Sequence, residues 1–175
     1  MNYPLDPNEL LRLRTIDELQ VGRRIPDAAV DRITAHAVGR FRVPVCLATL
    51  IEADRQLILS RQGIDVTQTP RETSFCTYTI LSPEVLVVSD ATADARFKAN
   101  PYVTGQPFIR FYAGAPLIYE ERIRLGSLCL VDTRPRTFSR GERAELAMLA
   151  EHVVSILIRR AYGLPEPDLS AALAA

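Results

Sequence analysis

Three cysteines, one arginine–tyrosine pair and two histidines are the residues of this chain best suited to chemistry. A thiol can serve as a nucleophile, a redox switch or a covalent attachment point, and its neighbours decide which. Cys46, Cys76 and Cys129 are an odd number without a Cys-x-x-Cys pair, which excludes a secreted disulfide framework and a zinc knuckle. Cys46 and Cys129 lie in apolar, strand-like runs, where a free thiol packs as a small hydrophobe. Cys76 stands apart: it ends the run Thr69-Pro-Arg-Glu-Thr-Ser-Phe-Cys76 and is followed by Thr77 and Tyr78. His36 and His152 sit in helical patterns with no second His or Cys at ligand spacing, so no metal is expected. The chain carries neither a glycine-rich phosphate cradle nor a Ser-His-Asp arrangement, and no catalytic residue is assigned.

Arg110 and Tyr112 lie two residues apart in an otherwise apolar run. Strand alternation puts Arg110, Tyr112, Gly114 and Pro116 on one face, and Ile109, Phe111, Ala113 and Ala115 on the other. A guanidinium beside a phenol on an apolar sheet face can anchor the polar end of a ligand. Equally, Arg110 can pair with Asp90 or Asp94 and pin the connection before the strand, since buried charges are retained when paired. The two readings are compatible, because a ligand acid can compete for the same guanidinium.

The elements that must hold these residues follow from the apolar period. Residues 8–20, with Leu10, Leu11, Leu13, Ile16 and Leu19, and residues 28–41, with Val30, Ile33, Ala37, Val38 and Phe41, repeat at helical spacing. Gly22 and Pro26 separate them, and Asp27 is placed to cap the second. The period then shortens: residues 45–51 and 57–62 read as a hairpin across Glu52, Asp54 and Arg55. A short helix fits 73–81 and a strand 86–89. A long connection with an Asn100-Pro101 step runs over 90–107, followed by strands at 109–118 and 124–131 joined by a turn at 120–122. Ser139 and Glu142 have the spacing of a capping box, and the helix behind them carries Leu146, Leu149, Val153, Ile156 and Leu157. Sequential hairpins flanked by helices imply an α+β fold with an antiparallel sheet of five to six strands.

Bulk properties restrict the setting. A length of 175 residues fits one domain, and 47% hydrophobic with 24% charged residues is globular composition able to bury a core unaided. Acidic and basic residues balance at 21 each, and the arginines are scattered, so neither nucleic acid nor an anionic membrane is an expected partner. No apolar leader and no uncharged run of spanning length is visible, so a cytoplasmic protein is expected. The expected organisation is a single domain over 1–163, with its N-terminal helix within 1–24 and its C-terminal helix at 139–162, and a flexible tail over 164–175.

Three segments are distinctive together. These are 69–76, already quoted; Val88-Ser-Asp-Ala-Thr-Ala-Asp-Ala-Arg-Phe97 running on through Asn100-Pro-Tyr to Gly114; and Leu125-Gly-Ser-Leu-Cys-Leu-Val-Asp132 with Pro135-Arg-Thr-Phe138. In order and spacing the chain resembles the GAF domain family, especially the sensory GAF domains of bacterial histidine kinases and cyclic-di-nucleotide enzymes, from about residue 10 to 157. The resemblance implies terminal helices on one sheet face and, on the other, a small-molecule pocket roofed by the short helix and the long connection. It implies Cys76, Tyr78, Asp90, Phe97, Arg110 and Tyr112 as ligand-binding residues. Bilin-binding relatives usually place a histidine after their cysteine; Thr77 occupies that position here and argues against a chromophore. The ligand itself is left open.

The expected function is therefore that of a stand-alone sensory module in bacterial signal transduction. It would bind a small molecule and relay the event through its outer helices to a signalling partner or a second copy. The stripes 146–157 and 10–19 would supply the helical homodimer interface. Two alternatives remain: a thiol-dependent reductase of free methionine sulfoxide built on the same fold, and a scaffold that binds protein alone.

Overall fold

Alternation of apolar side chains from 45 to 132 is satisfied by a single six-stranded sheet. Its strands are β1 (Val45–Ile51), β2 (Arg55–Gln62), β3 (Gln68–Pro70), β4 (Leu86–Val88), β5 (Phe111–Tyr119) and β6 (Ile123–Asp132). They lie in the order β3-β2-β1-β6-β5-β4, with every neighbouring pair antiparallel. The computed structural model describes residues 3–21, 27–120, 122–170 and 173–174. The expected breaks at Gly22 and Pro26, the outer ends of the segment 1–24, and Glu121 of the turn at 120–122 lie outside the described residues.

The sheet separates two apolar layers. On one face α1 (Glu9–Leu19), α2 (Ala28–Phe41) and α5 (Arg140–Ala161) cover Cys46, Ala48, Leu50, Phe111, Ala113, Leu128 and Leu130. On the other face Leu47, Ile58, Tyr112, Cys129 and Val131 meet Phe75 and Phe97, which arrive from the connections. Two bulges adjust the faces. Between the pairs Ala48–Ser60 and Thr49–Ile58, β2 carries one extra residue, Leu59; between Leu117–Gly126 and Ile118–Arg124, β6 carries Leu125. Both extra residues turn toward the helical layer, as an inserted residue must when it shifts the pleat by one.

The helix ends follow their residue types. The Asp27 carboxylate accepts from the backbone N–H of Ala29 and Val30 at 3.1 and 3.2 Å, and it also pairs with Arg160. Ser139 and Glu142 close the expected capping box in both directions. Leu146, Leu149, Val153, Ile156 and Leu157 are all buried on the sheet, so the stripe read as a dimer seam is consumed within the chain.

Several elements differ from the sequence expectation. Helix α1 buries Arg12, Thr15, Ile16 and Leu19, while Leu10 and Leu11 stay 65% and 53% exposed. The cause is polar: Arg12 reaches the Ile51 carbonyl at 2.5 Å and orients the helix about that bond. The helix expected at 73–81 is shorter, a 3-10 turn at Arg71–Thr73 followed by α3 (Cys76–Thr79). Strand β3 was not anticipated, because a three-residue edge strand containing Pro70 has little signal of its own. Inside the connection 90–107, Asn100 caps the one-turn α4 (Pro101–Thr104) by accepting from Tyr102 N–H at 2.9 Å. Its amide also donates to the Thr73 carbonyl at 2.9 Å and ties the connection to the 3-10 turn. Of the segment expected as a flexible tail, residues 164–170 return to the domain: Leu169 is 2% exposed within the helical layer, and Arg159 donates to the Pro165 carbonyl at 2.6 Å.

Candidate functional site

Opposite the helical layer, the sheet and its covering connections form a half-open pocket of about 140 Å³. Leu47, Ile58, Cys129, Val131 and Tyr112 form the floor; Phe75, Cys76 and Tyr102 close it above, with Ile64, Val66, Pro107 and Ile109 at its sides. Cross-strand register aligns the floor. Leu47 pairs with Cys129, Val45 with Val131 and Thr49 with Ser127, so alternate residues of β1 and β6 stand together on this face. Among the described residues lining the cavity none is charged, and the polar ones are Gln56, Thr69, Thr73, Ser74, Tyr102, Tyr112 and the two thiols.

A buried polar cluster sits where α3 meets the floor. Cys76 Sγ lies 3.7 Å from Cys129 Sγ, and the Tyr112 hydroxyl lies 3.4 Å from Cys76 Sγ and 2.6 Å from Thr79 Oγ1. All four side chains are at most 2% exposed. Gly114, on the same face as Tyr112, makes the room: a Cβ there would overlap both the phenol oxygen and Thr79 Oγ1. Burial by itself disfavours a Cys76 thiolate. The Cys129 thiol and the hydroxyls of Ser127, Tyr112 and Thr49 nevertheless stabilise the anion and bring Cys76 down to about 6. Its hydrogen bond to Cys76, together with burial, pushes Cys129 the other way, and burial first of all raises Tyr112. Cys46 belongs to the opposite face, where burial alone raises its thiol.

The six residues expected to bind ligand divide into three groups. Cys76 and Tyr112 line the cavity. Phe97 and Tyr78 stand behind it: Phe97 stacks on Phe75 with centroids 4.1 Å apart, and Tyr78 meets Phe97 edge-on at 4.9 Å. Asp90 and Arg110 lie at the end of the connection instead. Asp90 accepts from the backbone and hydroxyl of Thr92 at 3.0 and 2.7 Å, bonds that lower its carboxyl, with a smaller contribution from the Arg110 charge. Arg110 donates to the carbonyls of Val103 and Ile109, both at 3.0 Å. It thus pins the connection through a carbonyl rather than through Asp90 or Asp94, and it does not anchor the cavity. The alternation argument fails here because β5 begins only at Phe111. Phe108, at φ 60°, turns the chain before it and sends Ile109 to the cavity side with Tyr112. Phe75, Leu47, Ile58 and Cys129 were not expected at the site. Alternation within β1 and β6 carried the signal for Leu47 and Cys129; Phe75 had none, because its position depends on the turn before α3.

A sequence profile described as the GAF domain matches residues 26–157 of this chain. The chain belongs to the GAF domain family. Over 164 residues it is 42% identical to a cyclic di-GMP phosphodiesterase of Pseudomonas aeruginosa, covering 93% of this chain and 27% of that protein. The chain thus spans only about a quarter of that relative's length. Among solved structures, the GAF domain of a phosphoenolpyruvate-protein phosphotransferase from Coxiella burnetii superposes with a TM-score of 0.65 at 19% identity, covering 89% of this chain and 96% of that one. The type II free methionine-R-sulfoxide reductase of Thermoplasma acidophilum superposes at 0.62 with 13% identity, covering 82% and 96%. At these identities the structures share the fold with this GAF domain and nothing narrower. Among the described residues no helix is long and apolar enough to cross a membrane, and no group of His, Cys, Asp and Glu is placed to hold a metal ion.

Proposed function

We propose that this GAF domain is a sensory module whose cavity takes one small, neutral, largely apolar molecule. The supporting observation is the cavity itself: about 140 Å³, partly covered by α3 and the long connection, and without a charged lining residue among those described. A dry apolar space of roughly 150 Å³ accommodates a molecule of benzene size, whereas drug-sized ligands use about 300 Å³ or more. A nucleotide phosphate or an amino-acid zwitterion would be desolvated there without a counter-charge, at a cost of several kcal/mol. Hydrogen-bonding edges are offered by the Tyr112–Cys76 corner and by the uncharged side chains of Gln56, Thr69, Thr73, Ser74 and Tyr102.

Two ionic links run from the roof to the N-terminal segment and form the relay in this proposal. The Arg71 carbonyl accepts from Thr77 Oγ1 at 2.9 Å, while its guanidinium meets Glu9 of α1 at 2.5 Å. At the far end of α3, Arg124 donates to the Ile80 carbonyl and to Asp6, both at 2.5 Å. A ligand that lifts α3 therefore strains contacts made by residues 6 and 9, and a signalling partner or a second copy would read the altered segment. Leu10 and Leu11, left exposed on α1, are the surface proposed for self-association.

Native mass spectrometry of the freshly purified chain, before and after titration with neutral aromatic and aliphatic probes, tests the ligand. One added mass is expected, and Leu47→Phe, which narrows the floor, is expected to remove it. A bare chain that takes up none of the probes would overturn the sensor reading in favour of the protein-binding scaffold. The reductase reading draws on the two thiols facing the cavity; turnover of free methionine sulfoxide with a thiol reductant would establish it, and the uncharged lining predicts none.

A further inference from the structure

We infer that Cys76 and Cys129 are a peroxide-oxidisable dithiol, closing to an intramolecular disulfide that fastens the roof of the cavity to its floor. The argument starts from placement. The two sulfurs, 53 residues apart in sequence, lie 3.7 Å from each other. One is on the four-residue α3, the other on the central strand β6, and both line the cavity. A disulfide of about 2.05 Å needs the sulfurs to approach by roughly 1.7 Å, a movement that α3, held by short connections, can supply. The cavity gives a molecule as small as hydrogen peroxide contact with both sulfurs, although neither is open to bulk solvent. Tyr112, donating toward Cys76 Sγ at 3.4 Å while paired with Thr79, stabilises negative charge at the sulfur that must attack. Cys46 lacks this setting: it is fully buried against the helices on the other side of the sheet.

The chemistry balances in two steps. Cys76 sulfur attacks one peroxide oxygen, the O–O bond breaks, and the departing hydroxide takes up the thiol proton as water, leaving Cys76 as a sulfenic acid. Cys129 sulfur then attacks that sulfur, the S–O bond breaks, and the hydroxyl leaves with the Cys129 proton as a second water. Two thiols lose two electrons and one peroxide is reduced to two waters. A dithiol reductant reverses the change. Because Cys76 stands on α3 and Cys129 in the floor, the bond holds α3 to the sheet, together with the Arg71 and Arg124 links at its two ends. The inference needs no ligand in the cavity.

The test is peptide mapping of the whole chain after brief treatment with stoichiometric hydrogen peroxide, alkylating free thiols before non-reducing digestion. The expected product has lost two hydrogens, contains a Cys76–Cys129 cross-linked peptide, carries alkylated Cys46, and returns to the dithiol with dithiothreitol. The rate at Cys76 should exceed that at Cys46 by roughly tenfold or more. Cys129→Ser, with native folding checked by circular dichroism, should stop at a Cys76 sulfenic acid trapped by dimedone. A wild-type chain that keeps three alkylatable thiols, oxidises all three alike, or forms only cross-links between chains overturns the inference without recourse to any variant. Ligand uptake in the native mass experiment is read separately on the reduced protein, so failure of one leaves the other standing.

Discussion

Glu9 holds two guanidiniums at once. Arg12 and Arg71 both donate to its carboxylate, at 2.8 and 2.5 Å, and both arginine side chains are 1% exposed. The Tyr3 ring lies over the Arg71 guanidinium at 4.9 Å, while Nε and Nη2 of Arg71 are buried without a hydrogen-bond partner among the described residues. Burial alone would raise the Glu9 carboxyl, but the hydrogen bonds and charges of the two arginines outweigh it and bring it from 4.5 to about 2. A carboxyl depressed on folding stabilises the native state above its unfolded value, and that contribution disappears as pH falls from about 4.5 through 2. After allowance for solvent screening of a partly exposed group, the contribution is roughly 1–2 kcal/mol. Urea unfolding of the wild type and Glu9→Gln should therefore differ by about that much more at pH 6 than at pH 2; parallel pH dependences would show that Glu9 is not the coupling group. Among the cavity residues, Tyr112 was legible from residue type and alternation, and Cys76 through the family resemblance. Arg110 could not be placed, because alternation holds only within a ladder and the ladder starts one residue later.

At the scale of elements, α5 and α1 show opposite relations between pattern and burial. The stripe of α5 is apolar and meets an apolar sheet, so pattern and burial coincide. The inward face of α1 includes Arg12, whose hydrogen bond to the Ile51 carbonyl overrides the pull of Leu10 and Leu11. The segment after α5 extends the same lesson. Its proline- and alanine-rich composition reads as a tail, yet Leu169 fills a site in the helical layer. Leu169→Ala should cost about 2–3 kcal/mol by chemical denaturation, as for other buried leucines. No loss at all would mean that residues 164–170 contribute nothing to the folded domain.

For the whole molecule, the decisive geometry is one sheet with two dissimilar faces. The helical face carries the larger apolar cluster, reaching from Phe41 to Leu157 beside a buried Thr34–Ser60 hydrogen bond, whereas the other is interrupted by a cavity and by the Cys76–Cys129–Tyr112 cluster. Consumption of the α5 stripe leaves Leu10 and Leu11 as the proposed contact between copies. Sedimentation velocity over a concentration series should show a dimer that Leu10→Ser/Leu11→Ser dissociates without loss of secondary structure. A wild-type chain that stays monomeric at the highest concentration removes this interface from the proposal. Substitutions in the α5 stripe, such as Leu149→Ala, should instead lower folding stability by about 3 kcal/mol in any oligomeric state.

By itself the amino-acid sequence determined the α+β class, the hairpin order and the capped starts of α2 and α5, because each depends on neighbouring residues or on a short period of apolar side chains. The family was legible only through the resemblance of three segments in their order and spacing. Tertiary structure alone decided that the thiols of Cys76 and Cys129 meet, that Phe75 rather than Arg110 reaches the cavity, and that Glu9 joins Arg12 to Arg71. Those contacts join residues up to 62 positions apart, and only the packing of the sheet against its two covers brings them within reach.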